Sequence, residues 1–259
     1  MAYGTNAPFG LQPRYFLNGS TWNDQTRQYD IASGYTPEIG GTPLPGLFIG
    51  DPVIRLSDGT IGIWPGLGSP GNPSAPILGV FFGCFYYDTN GTYVPSNYWP
   101  AGTVTRGAQN AKALIVDDPS VIFSAQVSTS AGNPSTAVGI QLKNLGCNIS
   151  PGMGNNLGAA GNAFNPVTGP GGVYTPPANP LPSGANGGQS TFYLDFSEMS
   201  NTATYCLKLI DLEPNPAPGQ QFYVAGPPTK GVFNNALVII NSHYYKGGTG
   251  TAGTGTVGV

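Results

Sequence analysis

Apolar and polar residues alternate in short bursts along this chain, and turn-forming residues separate the bursts almost everywhere. Alternation with period two marks a strand that buries one face. Val53 to Leu56 follows Gly50-Asp51-Pro52, Ile61 to Trp64 follows Asp58-Gly59, and Val121 to Val127 follows Asp117-Asp118-Pro119, so each run of β-formers has a turn signal before it. Tight hairpins are predicted at Asp58-Gly59 and at Asn90-Gly91. The second would join Phe81 to Tyr87 with Thr92-Tyr93-Val94. Ala236 to Tyr245 reads as a central strand, with Leu237, Ile239, Asn241, His243 and Tyr245 on one face and Val238, Ile240, Ser242 and Tyr244 on the other.

Helix is disfavoured because Gly or Pro interrupts nearly every stretch long enough to form one. The longest stretch without either residue, Gln189 to Glu213, alternates at its ends: Phe192, Leu194 and Phe196 share one face, as do Tyr205, Leu207 and Leu209. Its middle, Ser197 to Asn201, is expected to form a helical turn or a wide loop between two strands. The most apolar segment, Ile77 to Tyr87, has eleven residues, short of the roughly 20 that span a bilayer. It is predicted to be a buried strand, and no membrane partner is expected.

The pattern predicts an all-β protein, a β-sandwich or jelly-roll-like barrel with long Gly/Pro-rich loops and extended terminal arms. Residues 1-50 would hold an N-terminal arm and the first strands, and residues 51-246 the β-rich core domain. Two segments lack any core-forming pattern: the Gly/Pro-rich insertion 150-188 and the Gly/Thr tail 247-259.

Composition sharpens this picture. Only 8% of residues are charged, against roughly 25% in ordinary soluble domains. Forty glycines and 26 prolines approach the disordered range, yet 39% hydrophobic and 11% aromatic residues supply enough apolar surface for a folded core. A surface this neutral is poorly protected against association, which suits a protein that works packed against neighbours. The net charge of −3 and the lack of any basic run exclude a nucleic-acid partner held by phosphate neutralisation. The opening MAYGTNAPFG has no basic region leading into an apolar stretch and does not read as a secretory signal. Cys84, Cys147 and Cys206 are odd in number and lack CxxC spacing, so they read as reduced thiols of a cytosol-made protein.

Chemistry is sparse. His243 is the one histidine, and no G-x-S-x-G elbow or P-loop accompanies it. A packing or hydrogen-bonding role is expected for it. Paired carboxylates for glycoside hydrolysis would have to come from Asp117, Asp118, Asp195, Glu198, Asp211 and Glu213, and the first two sit in turn-forming sequence. Asp88-Thr89-Asn90-Gly91 resembles the start of a calcium loop, but Trp99 stands where the last acidic ligand belongs. No catalytic residue, metal ligand or cofactor is predicted, and the chain is read as non-enzymatic. Exposed aromatic pairs remain as candidate surface, with Tyr98-Trp99 and Tyr244-Tyr245 foremost and Tyr86-Tyr87 and Tyr93 beside them.

Short blocks along the chain carry a likeness. Asn6-Ala7-Pro8-Phe9-Gly10-Leu11 with Pro13, then Gly50-Asp51-Pro52-Val53, Asp117-Asp118-Pro119 to Phe123 with Gln126, and Val238-Ile239-Ile240-Asn241-Ser242-His243 resemble, in order, the cement or decoration proteins of tailed-bacteriophage capsids. The resemblance implies a β-rich structural protein on the capsid surface of the virion, made in the host cytoplasm. Its partners would be the phage major capsid protein and other copies of itself, as dimer or trimer. On that reading the segment Thr5 to Tyr15 and the tail are arms, and Pro8, Phe9, Leu11, Tyr15, Thr249, Thr254 and Val257 join the aromatic pairs as interface residues. The rivals are a receptor- or glycan-binding module of a tail fibre or adhesin, a major capsid or tail-tube subunit, and, third, a hydrolase.

Overall fold

Frequent breakers cut the chain into strands of two to nine residues, and long-range pairing assembles them into sheets. The computed structural model describes residues 9–39, 42–65, 75–107, 110–127, 146–150, 190, 192–200, 206–213 and 235–246. Sixteen strands run through these residues. The first half holds β1 (Gln12–Phe16), β2 (Arg27–Ile31), β3 (Glu38–Ile39), β4 (Thr42–Pro43), β5 (Gly46–Phe48), β6 (Pro52–Arg55), β7 (Ile61–Ile63) and β8 (Gly79–Tyr87). The second holds β9 (Tyr93–Ser96), β10 (Tyr98–Pro100), β11 (Ala111–Val116), β12 (Val121–Gln126), β13 (Gly146–Ser150), β14 (Tyr193–Ser200), β15 (Leu207–Leu212) and β16 (Asn235–Ile240). Among the described residues there is no helix, and so none long and apolar enough to cross a membrane.

The protein is all-β, as the alternation predicts. One six-stranded sheet has the order β1-β12-β16-β15-β13-β14. The other runs β2-β11-β8-β6-β7, with β9 beside the far half of β8. All named ladders are antiparallel, and two small pairs, β10-β5 and β3-β4, stand apart from the main sheets. The chain passes from one sheet to the other between β1 and β2 and returns between β11 and β12. Because β1 pairs with β12 and β2 with β11, the two crossings lie side by side. A parallel bridge between Val127 and Leu194 brings β14 back to the end of β12, so the first sheet curls toward itself.

One hydrophobic cluster joins the sheets. Phe123, Leu207 and Val238 enter it from the first, with Leu11 just before β1, and Ile31, Val53, Val80, Ala113 and Ile115 from the second. Side chains at alternate positions reach inward, as β11 shows: Ala111, Ala113 and Ile115 are buried while Lys112 and Leu114 are half-exposed. Burial of this kind contributes about 25 cal/mol per Å² of apolar surface and is the main term holding the sheets together.

Both predicted hairpins form. Val53 pairs with Ile63 and Arg55 with Ile61 across the first, and Tyr87 pairs with Tyr93 across the second. In each the loop is closed by the same bond, Leu56 N–H to Thr60 O at 2.8 Å and Asp88 N–H to Thr92 O at 3.0 Å. The left-handed position falls to Gly59 (φ 86°) and Gly91 (φ 85°), where a side chain would be strained. The carboxylates of Asp58 and Asp88 accept backbone N–H groups inside their own turns, which fixes both as turn builders.

Two expectations are corrected. The final strand stops at Ile240 rather than Tyr245, because the Cys206 carbonyl accepts both Asn241 N–H (2.8 Å) and Ser242 N–H (3.2 Å) and turns the chain. The face assignment beyond Ile240 therefore lapses. Ser197 to Ser200 forms neither a helical turn nor an open loop but stays in β14, since Ser200 pairs with Gly146 of β13. A register shift between Gly146 and Asn148 takes up the extra residues. β16 does lie inside its sheet, between β12 and β15.

Candidate interface where the sheets cross

Three distant segments meet where β11 hands the chain to β12. They are β2, the Asp117-Asp118 turn, and the turn from His243 to Lys246 that follows β16. Alternation along β2 carries Tyr29 on the face that packs toward the core, and the Tyr29 hydroxyl reaches Asp117 Oδ2 at 2.6 Å. Arg27 Nη1 stands 3.3 Å from the same oxygen. The Tyr29 and Tyr245 hydroxyls are 2.8 Å apart. Since the single Tyr29 proton goes to the carboxylate, Tyr245 is the donor in that pair. The Arg27 guanidinium carbon lies 5.8 Å from the Tyr245 ring centre, and Tyr244 meets that ring edge-on at 5.3 Å.

The electrostatics follow the contacts. The Asp117 carboxylate raises the pKa of the largely exposed Arg27 guanidinium. Burial, then the bond to Asp117, pushes Tyr29 far above the ordinary phenol range. His243 is buried, and its Nδ1 accepts the Tyr245 N–H at 3.1 Å. Burial first, then Lys246, depresses its pKa to about 4, so the ring is neutral near pH 7 and carries its proton on Nε2. Against the upward push of burial, the Ser120 hydroxyl and N–H hold Asp118 below the usual carboxylate range.

The expected interface residues scatter. Tyr245 (45% exposed) and Tyr15 (44%) are on the surface, and Tyr244 is half-buried. Tyr98 is half-buried, stacked on Phe48 with 5.8 Å between ring centres. Phe9, Leu11 and Trp99 are covered by the chain itself, and Trp99 donates its indole N–H to Tyr35 O at 3.0 Å. These three present no surface to a partner. From Phe9 onward the N-terminal segment is part of the folded body: Gly10 N–H donates to Phe192 O and Leu11 N–H to Gly50 O. Pro8, Thr249, Thr254, Val257, the tail, and the insertion beyond Ser150 lie outside the described residues.

Other sequence candidates are engaged in building the fold. Glu213 pairs with Arg14 at 3.4 Å and accepts from Asn235 at 2.9 Å. Cys84 donates to Tyr98 O, and burial pushes its pKa up to about 12. Among the described residues no group of three or more His, Cys, Asp or Glu is placed to hold a metal ion. Arg27 and Tyr29 went unnamed by the sequence reading, although the Arg-Gln-Tyr-Asp-Ile alternation puts both on the face of Ile31. Among the described residues the geometry defines an all-β scaffold with an exposed corner where Arg27 and Tyr245 meet. The chain matches no protein-family model, no curated protein and no solved structure.

Proposed function

We propose that this chain is a structural protein that binds an assembled bacteriophage capsid and stabilises it. The carrying observation is the Arg27–Tyr245 corner, where Tyr245 is exposed yet held by the Tyr29 hydroxyl and the His243 ring. Tyrosine and arginine dominate binding energies at interfaces, and side chains already fixed lose little freedom on docking. The scarcity of charge supports the same reading, because little needs to be desolvated when such a surface is covered.

The blocks that resemble capsid cement proteins coincide with joints of this fold. Gly50-Asp51 receives the N-terminal segment, Asp117-Asp118 makes the crossing between sheets, and Ser242-His243 bridges to Ile77. A likeness at those positions is a likeness of scaffold. The mechanism is mass action: a chain that binds the lattice and not free capsomers stabilises the lattice, and symmetry-related copies multiply a modest effect. Association as dimer or trimer would match the two-fold and three-fold junctions of a shell.

The test mixes the purified chain with emptied capsids and with free capsomers and measures co-sedimentation and capsid melting. Saturable binding to shells alone, with a raised melting temperature, is expected. Tyr245→Ala should weaken binding by about tenfold or more. A chain that forms shells unaided, or that ignores shells and binds cells alone, sinks the reading.

A further inference from the structure

The outer face of the second sheet carries a feature that capsid binding does not use. β8 changes partner partway along, from β6 at Pro52 and Val53 to β9 from Cys84 onward, and its ladder with β11 slips between Leu114 and Ile115. Gly83 sits at the slip with φ 153°. A Cβ there would stand 3.2 Å from Ser96 O. The missing side chain lets the Ser96 carbonyl come close to β8, and bulges and strand glycines recur where a ligand approaches the backbone. Beside it lies a shallow groove of about 390 Å³, in the size range of small-ligand sites.

Its walls suit one kind of ligand. Phe85 and Tyr93 line it, their ring centres 5.9 Å apart and tilted by 45°, so the two rings are not stacked face to face on each other. Tyr93 is 51% exposed, and the exposed Tyr87 leans on it from outside the groove at 5.6 Å. Asn97 sits at the rim, exposed, and makes no side-chain hydrogen bond with the described residues. No charged residue lines the groove, and the nearby Lys112 is already paired with Asp30 at 2.7 Å. Ring faces for the apolar side of a sugar, an unused amide for its hydroxyls and the lack of charge together match an uncharged saccharide. A phosphate or acidic sugar finds no counter-charge. A strand-forming peptide finds no free edge in the floor, because β8 is paired on both sides.

We propose that this groove binds an uncharged oligosaccharide, with Tyr93 and Phe85 as the stacking platform and Asn97 as the polar contact. The full chain is titrated, by NMR and calorimetry, with short neutral oligomers of glucose, galactose, mannose and N-acetylglucosamine, and with a proline-rich peptide as comparison. Saturable binding of at least one saccharide is expected, weakened about tenfold or more by Tyr93→Ala and by Asn97→Ala. Tyr15→Ala, on the other sheet, should leave it unchanged. Capsid co-sedimentation of Tyr93→Ala is run in parallel and should be intact, so failure here is separable from failure of the capsid reading. No binding by any saccharide overturns the proposal, as does binding indifferent to Tyr93 and Asn97. Preference for the peptide overturns it too, as does loss of capsid binding in Tyr93→Ala without any saccharide binding.

Discussion

The hydroxyls of Tyr29 and Tyr245 lie 2.8 Å apart although 216 positions separate them in the chain. Through Tyr29 the contact continues to Asp117, so the strand β2, the crossing turn and the final turn share one hydrogen-bonded chain. Tyr29→Phe removes both bonds and leaves Asp117 with the 3.3 Å Arg27 contact. A hydrogen bond to a buried charged group contributes roughly 1.5–3 kcal/mol. A loss of about that size is expected in urea unfolding. Tyr245→Phe removes only a neutral bond and should cost roughly 1 kcal/mol. The double variant should cost less than the sum, because the second change finds its partner already gone. Strict additivity would show that the three groups do not act together.

Trp99 separates core from interface. Its ring is fully buried, meets Tyr86 edge-on at 5.3 Å and donates to the Tyr35 carbonyl. Trp99→Ala should cost about 3–5 kcal/mol, the range for deleting a large aromatic from a core. Trp99→Phe should cost less and leave a soluble, folded chain. Capsid binding per folded molecule should then be unchanged in Trp99→Phe. A drop in affinity at full folding, followed by circular dichroism, would return Trp99 to the interface.

How much of this was legible in the sequence depends on the range of the interaction. Hairpins at Asp58-Gly59 and Asn90-Gly91 could be read directly, since a turn residue and its flanking strands are neighbours in the chain. The end of β16 could not, because Cys206 turns the chain at Asn241 from thirty-odd positions away. Adjacent aromatics show the same limit. In Tyr98-Trp99 one ring goes inward, and nothing local says that Tyr35 will wait there to accept the indole proton. Phe9 and Leu11 read as an arm because they precede the first clear strand, yet Gly10 between them is tied to Phe192 and Leu11 to Gly50. The corner proposed as an interface is wholly non-local: Arg27, Asp117 and Tyr245 come from three regions of the sequence.

Asp51 and His243 make opposite demands on pH. Asp51 is buried and accepts the Phe48 N–H at 2.8 Å, yet burial raises its pKa from 3.8 to about 7. The Ser190 hydroxyl and the Phe48 N–H pull the other way and do not prevail. Between pH about 4 and 7 the folded chain therefore keeps a proton that the unfolded chain releases, and stability falls as pH rises. His243 has the reverse sign. Its pKa is lowered from 6.5 to about 4, so between those values the unfolded chain holds the extra proton and stability rises with pH. Each slope is at most about 1.4 kcal/mol per pH unit. Tyr35, which senses the Asp51 charge, is raised to about 12 by burial and stays neutral throughout. In the unaltered chain the two slopes should largely cancel from pH 4 to 6.5. Asp51→Asn should expose a stability that climbs with pH across that window. His243→Gln should expose one that falls until about pH 7. Urea unfolding of both variants at stepped pH reads the slopes, and two variants with the same sign of slope would refute the assignment.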